Sequence, residues 1–226
     1  MVSHPALSKL IAQRAVVEVA FFIDMETAAG PQSGAYPVQL DLTGPLEVQR
    51  WRVVGNLILA IPHLIIAWAL ESILEALTVV AFIMILFTGN IPSGLFNFMA
   101  MILRYTWRIT TYLLFMRDSY PEFDYTPSAL DPGTDPAIFS IPYPDRLSRG
   151  LIFIKWLLVI PNILILCFVA LAAAIELIIA WFGVLITGKW PEGMRRFVIG
   201  TIRWGTRVRA YLYLMTDKYP PFTTQP

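Results

Sequence analysis

The chain has 226 residues, a formal net charge of +1 and 57% hydrophobic residues. Charged residues make up 15%, against ~25% in soluble globular chains, and mean hydropathy is +0.62. These values exclude a disordered chain and a nucleic-acid binder working by bulk charge, and they favour an integral membrane protein over a freely soluble domain.

The first 49 residues form an N-terminal segment. Lys9 precedes an apolar stretch, but Arg14 and Glu18 interrupt it and no small-residue cleavage site follows, so it does not read as a signal peptide. Residues 7–23 read as a helix lying in the membrane interface or held by a partner. Residues 36–42 alternate apolar and polar side chains and predict a short strand.

From residue 50 the chain repeats itself. Displacing it by 99 residues brings Pro62 onto Pro161, Thr88-Gly89 onto Thr187-Gly188, Arg104 and Arg108 onto Arg203 and Arg207, and Asp118 onto Asp217. Residues 50–123 match 149–222 at 21 of 74 positions without a gap, and 14 of those matches fall in the last 36. A shared Arg/Pro/Gly/Asp skeleton at one displacement marks a tandem duplication. Residues 124–148, rich in Pro, Asp and Ser, separate the copies as a linker.

Each copy opens with an apolar run, Val53 to Phe87 and Leu151 to Ile186. As one helix such a run is about 53 Å long, beyond the ~30 Å hydrocarbon core. It therefore predicts a transmembrane hairpin, with Glu71 and Glu75 near the tip of the first. Pro62 and Pro161 fall inside the first helix of each hairpin, followed by the polar residues His63 and Asn162. Glu176 completes the set of polar residues placed within the membrane.

After each run comes Thr-Gly-x-x-Pro-x-Gly, a helix stop and restart. The next segment carries Arg104 and Arg108 in the first copy and Arg196, Arg203 and Arg207 in the second, on a helical stripe. This predicts an amphipathic helix in the interface, with those arginines, Trp107 and Trp204 meeting anionic lipid headgroups. The alternative is a third span per copy with buried arginines, which would make the repeats inverted. The predicted fold is thus an all-α membrane protein of four spans, with short extended segments on the cytoplasmic side. No Lys or Arg falls at either tip, and 14 of 17 lie on the other side, which the positive-inside rule makes cytoplasmic.

The motifs Tyr36-Pro37, Pro62-His63, Thr88-Gly89-x-x-Pro92-x-Gly94, Arg104-Tyr-x-Trp107-Arg108 and Asp118-x-Tyr120-Pro121-x-Phe123, with their second copies, resemble a bacterial membrane family catalogued as a domain of unknown function, number four-three-eight-nine. The resemblance covers residues 36–222. It implies duplication and a place in the bacterial inner membrane, and carries no activity. Glu122 departs from the commoner closing Tyr-Pro-Pro-Phe, and Glu71 and Glu75 depart too.

No metal-ligand spacing, phosphate-cradling loop or nucleophile elbow is present, and the histidines, His4 and His63, lie far apart in sequence. The single cysteine, Cys167, reads as a small buried hydrophobe. The expected function is a non-catalytic membrane subunit without cofactors that scaffolds a larger complex, with lipids and other membrane subunits as partners and no nucleic acid. The alternatives are a small transporter or channel and, well behind, a lipid enzyme.

Overall fold

In a computed structural model the described residues are 36–225. The predicted N-terminal helix over 7–23 lies outside them. The first element is strand β1 (Gln39–Leu42), within the segment predicted as extended. A short helix α1 (Arg52–Leu59) leads into the long α2 (Ile61–Thr88), which turns back into α3 (Ser93–Leu113). Strand β2 (Ala137–Ser140) follows, then a 3-10 turn (Leu151–Phe153), the one-turn α4 (Lys155–Leu158), the long α5 (Ile160–Thr187) and α6 (Glu192–Leu212). The 99-residue displacement carries both ends of α2 onto those of α5, and both ends of α3 onto those of α6.

The hairpin predicted inside each apolar run is not there. Residues 61–88 form one continuous helix, and so do 160–187. Between Leu70 and Leu77 the chain offers Glu, Ser, Ile, Leu and Ala, good or neutral helix formers with no Gly or Pro to reverse direction. Pro62 and Pro161 sit in the first turn of α2 and α5, where no intrahelical N–H is needed, and begin these helices rather than kink them. The helical path from α1 continues through Ala60, which donates to Asn56 O and whose carbonyl accepts from Leu64. Among the described residues two helices are therefore long and apolar enough to cross a membrane, where the two predicted hairpins would have given four.

The reversal occurs at the glycine motif. Gly89 (φ 78°) and Gly188 (φ 72°) end the long helices in the left-handed region that glycine enters without a Cβ penalty. Each preceding threonine ties the turn. Thr88 Oγ donates to Met84 O and accepts from the Asn90 N–H, and Thr187 does the same with Gly183 and Lys189. Each hairpin thus pairs an apolar helix with an arginine-bearing one. The pairing runs along the whole helix, from Gly183 beside Pro191 to Asn162 bonded to Trp204.

Strands β1 and β2 form an antiparallel pair, so the linker is part of the fold rather than a spacer. Val48, ahead of the first copy, donates to Gly188 O in the second; Leu147, ahead of the second, donates to Gly89 O in the first. The copies exchange their leading segments, and one hydrophobic core joins Leu74, Phe96 and Leu103 to Phe139, Ala210 and Leu214.

The result is layered. Helices α2 and α5 are outermost, each burying one narrow stripe, such as His63, Ala67, Leu74, Ala81 and Ile85 on α2. Helices α3 and α6 are buried along much of their length. The strands and the loop around residues 124–131 cover α3 on its other side. The arginine helices are therefore a middle layer, and the interfacial stripe predicted for them faces protein.

Candidate functional site

Two features could carry function, the apolar outer face and the arginine layer. On the outer face Trp68, Phe87, Phe168 and Ile186 are 74%, 73%, 75% and 69% exposed. Large apolar side chains presented in this number by two long helices mark a surface suited to contact with lipid or protein. Cys167, expected to be buried, is exposed on this face of α5.

In the first copy the arginine layer is paired. Arg104 donates to the Ser128 and Thr126 carbonyls at 2.9 and 2.6 Å. Arg108 lies 3.2 Å from Asp124 and 3.3 Å from Asp131. Arg117 holds Asp135 through two bonds of 2.6 and 2.8 Å. Hydrogen bonds from Thr126, reinforced by the charges of Arg104 and Arg108, hold the Asp124 carboxyl below its ordinary range although burial opposes them. In the second copy Arg203 donates to Leu40 O and Thr224 O, Arg207 to Val38 O and Gln225 O, and Arg195 to Gly44 O and Met116 O.

Arg104, Arg108, Arg203 and Arg207 are thus buried and bonded to their own chain, which corrects their placement on an exposed interfacial stripe. A guanidinium has five donors in a fixed fork and can hold several backbone carbonyls at once, so these residues clamp the strand-and-loop layer onto the helices. Of the five arginines expected to meet lipid, Arg196 alone is strongly exposed, paired to Glu192 at 2.7 Å. Trp107 and Trp204 are buried as well, Trp204 donating to Asn162 Oδ1 at 2.7 Å. The repeat-equivalent carboxylates Asp118 and Asp217 pair elsewhere: Asp118 lies 3.2 Å from Arg52, and Asp217 lies 2.8 Å from Lys155.

The polar residues on the long helices are mostly satisfied locally. His63 Nδ1 is 2.8 Å from the Tyr105 hydroxyl and its ring stacks on Phe123 at 4.1 Å. Asn162 donates to Pro220 O. Glu71 does not sit at a hairpin tip. It accepts from Thr106 at 2.8 Å and pairs with Arg209 of the other copy. Glu75 is exposed, and Glu176 keeps a buried carboxylate oxygen without a partner. Among the described residues no group of three His, Cys, Asp or Glu is placed to hold a metal ion.

Sequence reasoning missed Asp124, Asp131 and Asp135 as partners of the arginines. The signal was present: the linker is acidic and directly follows a buried-length helix carrying unpaired cations. It missed the Glu71–Arg209 link, because Ala170 and Thr110 occupy the equivalent positions and no repeat pattern points to it.

A family described as "Domain of unknown function (DUF4389)" has a model that matches residues 50–124 and again 149–224. No curated protein and no solved structure matches the chain.

Proposed function

The chain belongs to the DUF4389 family, and on that premise we propose that it is a non-catalytic, membrane-bound subunit that scaffolds or edges a larger membrane complex and engages anionic lipid. The observation that carries this reading is the outer layer: two 28-residue apolar helices, side by side with the charged layer but facing away from it. Each large apolar side chain moved from water into an apolar medium contributes about 1.5–3 kcal/mol, so a few of them hold the protein at a bilayer.

The layering supports helices lying along the membrane surface rather than crossing it. Helix α3 runs antiparallel beside α2 throughout, as far as the Asn56 bond to Tyr112 O, and packed helices sit 8–10 Å apart. On its far side α3 carries the irregular segment around Asp124, several of whose residues are exposed. Lipid-exposed irregular backbone is not tolerated in hydrocarbon. That segment therefore stays in water, α3 stays near the boundary, and α2 lies within one helix diameter of it. The strand layer then faces the cytoplasm, where the anionic leaflet attracts exposed basic groups such as Arg196.

Spin labels at positions 68, 79 and 87 of α2 and at the native Cys167 test the geometry in vesicles. Similar shallow depths at all sites support it; a depth maximum at mid-helix with the two ends on opposite faces overturns it. Purification in mild detergent tests the scaffold role, for which a partner at fixed ratio is expected. A lone monodisperse monomer overturns that role.

A second reading, a small transporter or channel with the long helices crossing, rests on Glu176 and its unpartnered buried oxygen. Unchanged growth and ion flux in Glu176→Gln would remove it.

A further inference from the structure

The two arginine layers differ in one respect that matters for ligands. In the first copy Arg108 and Arg117 each have a carboxylate partner within 4.0 Å. In the second, among the described residues, no carboxylate lies within salt-bridge distance of Arg195, Arg203 or Arg207, although all three are more than nine-tenths buried. Among the described residues their hydrogen-bond acceptors are backbone carbonyl oxygens, with the Tyr36 ring 5.4 Å from Arg207 and the more distant charge of Asp41 reaching Arg203. A buried charge without a counterion is costly, and an anion brought to it is correspondingly favoured.

Arg195 is the most exacting case. It lies in the first turn of α6, its Nε–H has no partner, and burial pushes its guanidinium down with nothing to offset the effect. Its counterpart in the first copy is Phe96, a core residue, so the duplication does not explain it.

Beside Arg195 opens a pocket of about 440 Å³ between β1, the start of α6 and the tail at Thr224. Arg195, Arg196 and Arg203 line it, with Phe197 and Ile199 supplying apolar wall. Two carboxylates line it too: Glu192, paired to Arg196, and Asp41. The amide groups at the start of a 21-residue helix add positive potential at the same place. The pocket is much larger than a carboxylate.

We infer that this pocket binds a phosphate group through Arg195, Arg196 and Arg203, the phosphate being that of a phospholipid headgroup. The apolar wall receives the first carbons beyond the headgroup. The lipid source rests on the membrane reading above; the phosphate chemistry does not.

The test uses the full chain, delipidated in dodecyl maltoside. One arm titrates inorganic phosphate by calorimetry; the other uses nanodiscs of phosphatidylglycerol in phosphatidylcholine and counts retained phospholipid by phosphorus NMR. Saturable binding of one phosphatidylglycerol is expected. Arg195→Gln weakens it about tenfold or more, the loss of a charge-assisted hydrogen bond. Asp41→Asn, which removes the competing carboxylate, strengthens it about two- to fivefold. Lys189→Gln, exposed and outside the pocket, leaves it unchanged. A gain of affinity cannot come from damaged folding, so Asp41→Asn keeps the test decisive if Arg195→Gln does not fold. Binding of inorganic phosphate with no retained phospholipid overturns the lipid source. No binding in either arm, or equal affinity in both variants, overturns the site. Wild-type chain floating with pure phosphatidylcholine vesicles in that event leaves the membrane reading standing, because the apolar helices alone account for it.

Discussion

Leu40 pairs with Phe139 across the β1–β2 ladder, and Phe139 is the residue onto which the repeat displacement carries Leu40. The flanking pairs, Gln39 with Ser140 and Asp41 with Ile138, are one another's counterparts. An approximate two-fold axis relating the copies thus runs through the Leu40–Phe139 pair. The exchanged bonds from Val48 to Gly188 and from Leu147 to Gly89 obey the same symmetry.

Because each copy carries the other's leading segment, neither copy is complete alone. Leu40→Pro, which breaks the ladder at its centre, is expected to unfold both copies in one transition. Pulse proteolysis followed by mass spectrometry checks this. Fragments from the two copies appearing at different denaturant concentrations would contradict it.

Arg117 and Asp135 form a bidentate pair with side chains 2% and 7% exposed. Arg117→Met leaves the buried carboxylate with only the more distant Arg108, at 3.9 Å, and is expected to cost about 3 kcal/mol. A denaturant midpoint within experimental error of wild type would contradict the pairing.

The Glu71–Arg209 bond ties α2 to α6 across the copies, with side chains 25% and 33% exposed. Solvent screening moderates its worth, and Glu71→Gln is expected to cost about 1 kcal/mol in detergent solution. A double-mutant cycle with Arg209→Gln should give a coupling of similar size; independent, additive effects would show that the bond carries nothing.

Acid should loosen the strand-and-loop layer. The folded-state pKa of Asp124 lies below the 3.8 of the free side chain. A depressed carboxyl pKa contributes stability that is present above 3.8 and is lost as pH falls through the folded value. Melting at pH 6 and pH 3 should therefore differ less in Asp124→Asn than in wild type. An equal difference would remove Asp124 from the account.

Gly89 and Gly94 share one motif but answer different needs. Gly89→Ala forces a Cβ into the left-handed region and should cost about 1–2 kcal/mol. At Gly94 a Cβ meets nothing within 4 Å, and Gly94→Ala should stabilise by about 0.5–1 kcal/mol through helix propensity. Thermal shifts of the same sign for both would refute the distinction.

The duplication and the glycine stops were legible because they depend on residues near one another in the chain. A Thr-Gly pair ends a helix through its own dihedral preferences and a local hydroxyl bond, whatever lies beyond. The apolar character of α2 and α5 was equally plain, being a property of composition. The candidate site was far less legible. Arg104 and Arg207 read as lipid contacts because periodicity reports which face a side chain is on, not what covers that face.

By itself, then, the sequence determined that two equivalent units exist, where their helices stop and that much apolar surface must leave water. Tertiary structure decided that each apolar run is one helix, that the hairpin joins it to the arginine helix, and that the arginines face inward. The physical reason is that a buried cation is stable only where its hydrogen-bond partners are. Those partners are carbonyls of Thr126, Ser128, Val38 and Leu40, brought to the helices by a long-range exchange of segments that no local pattern records.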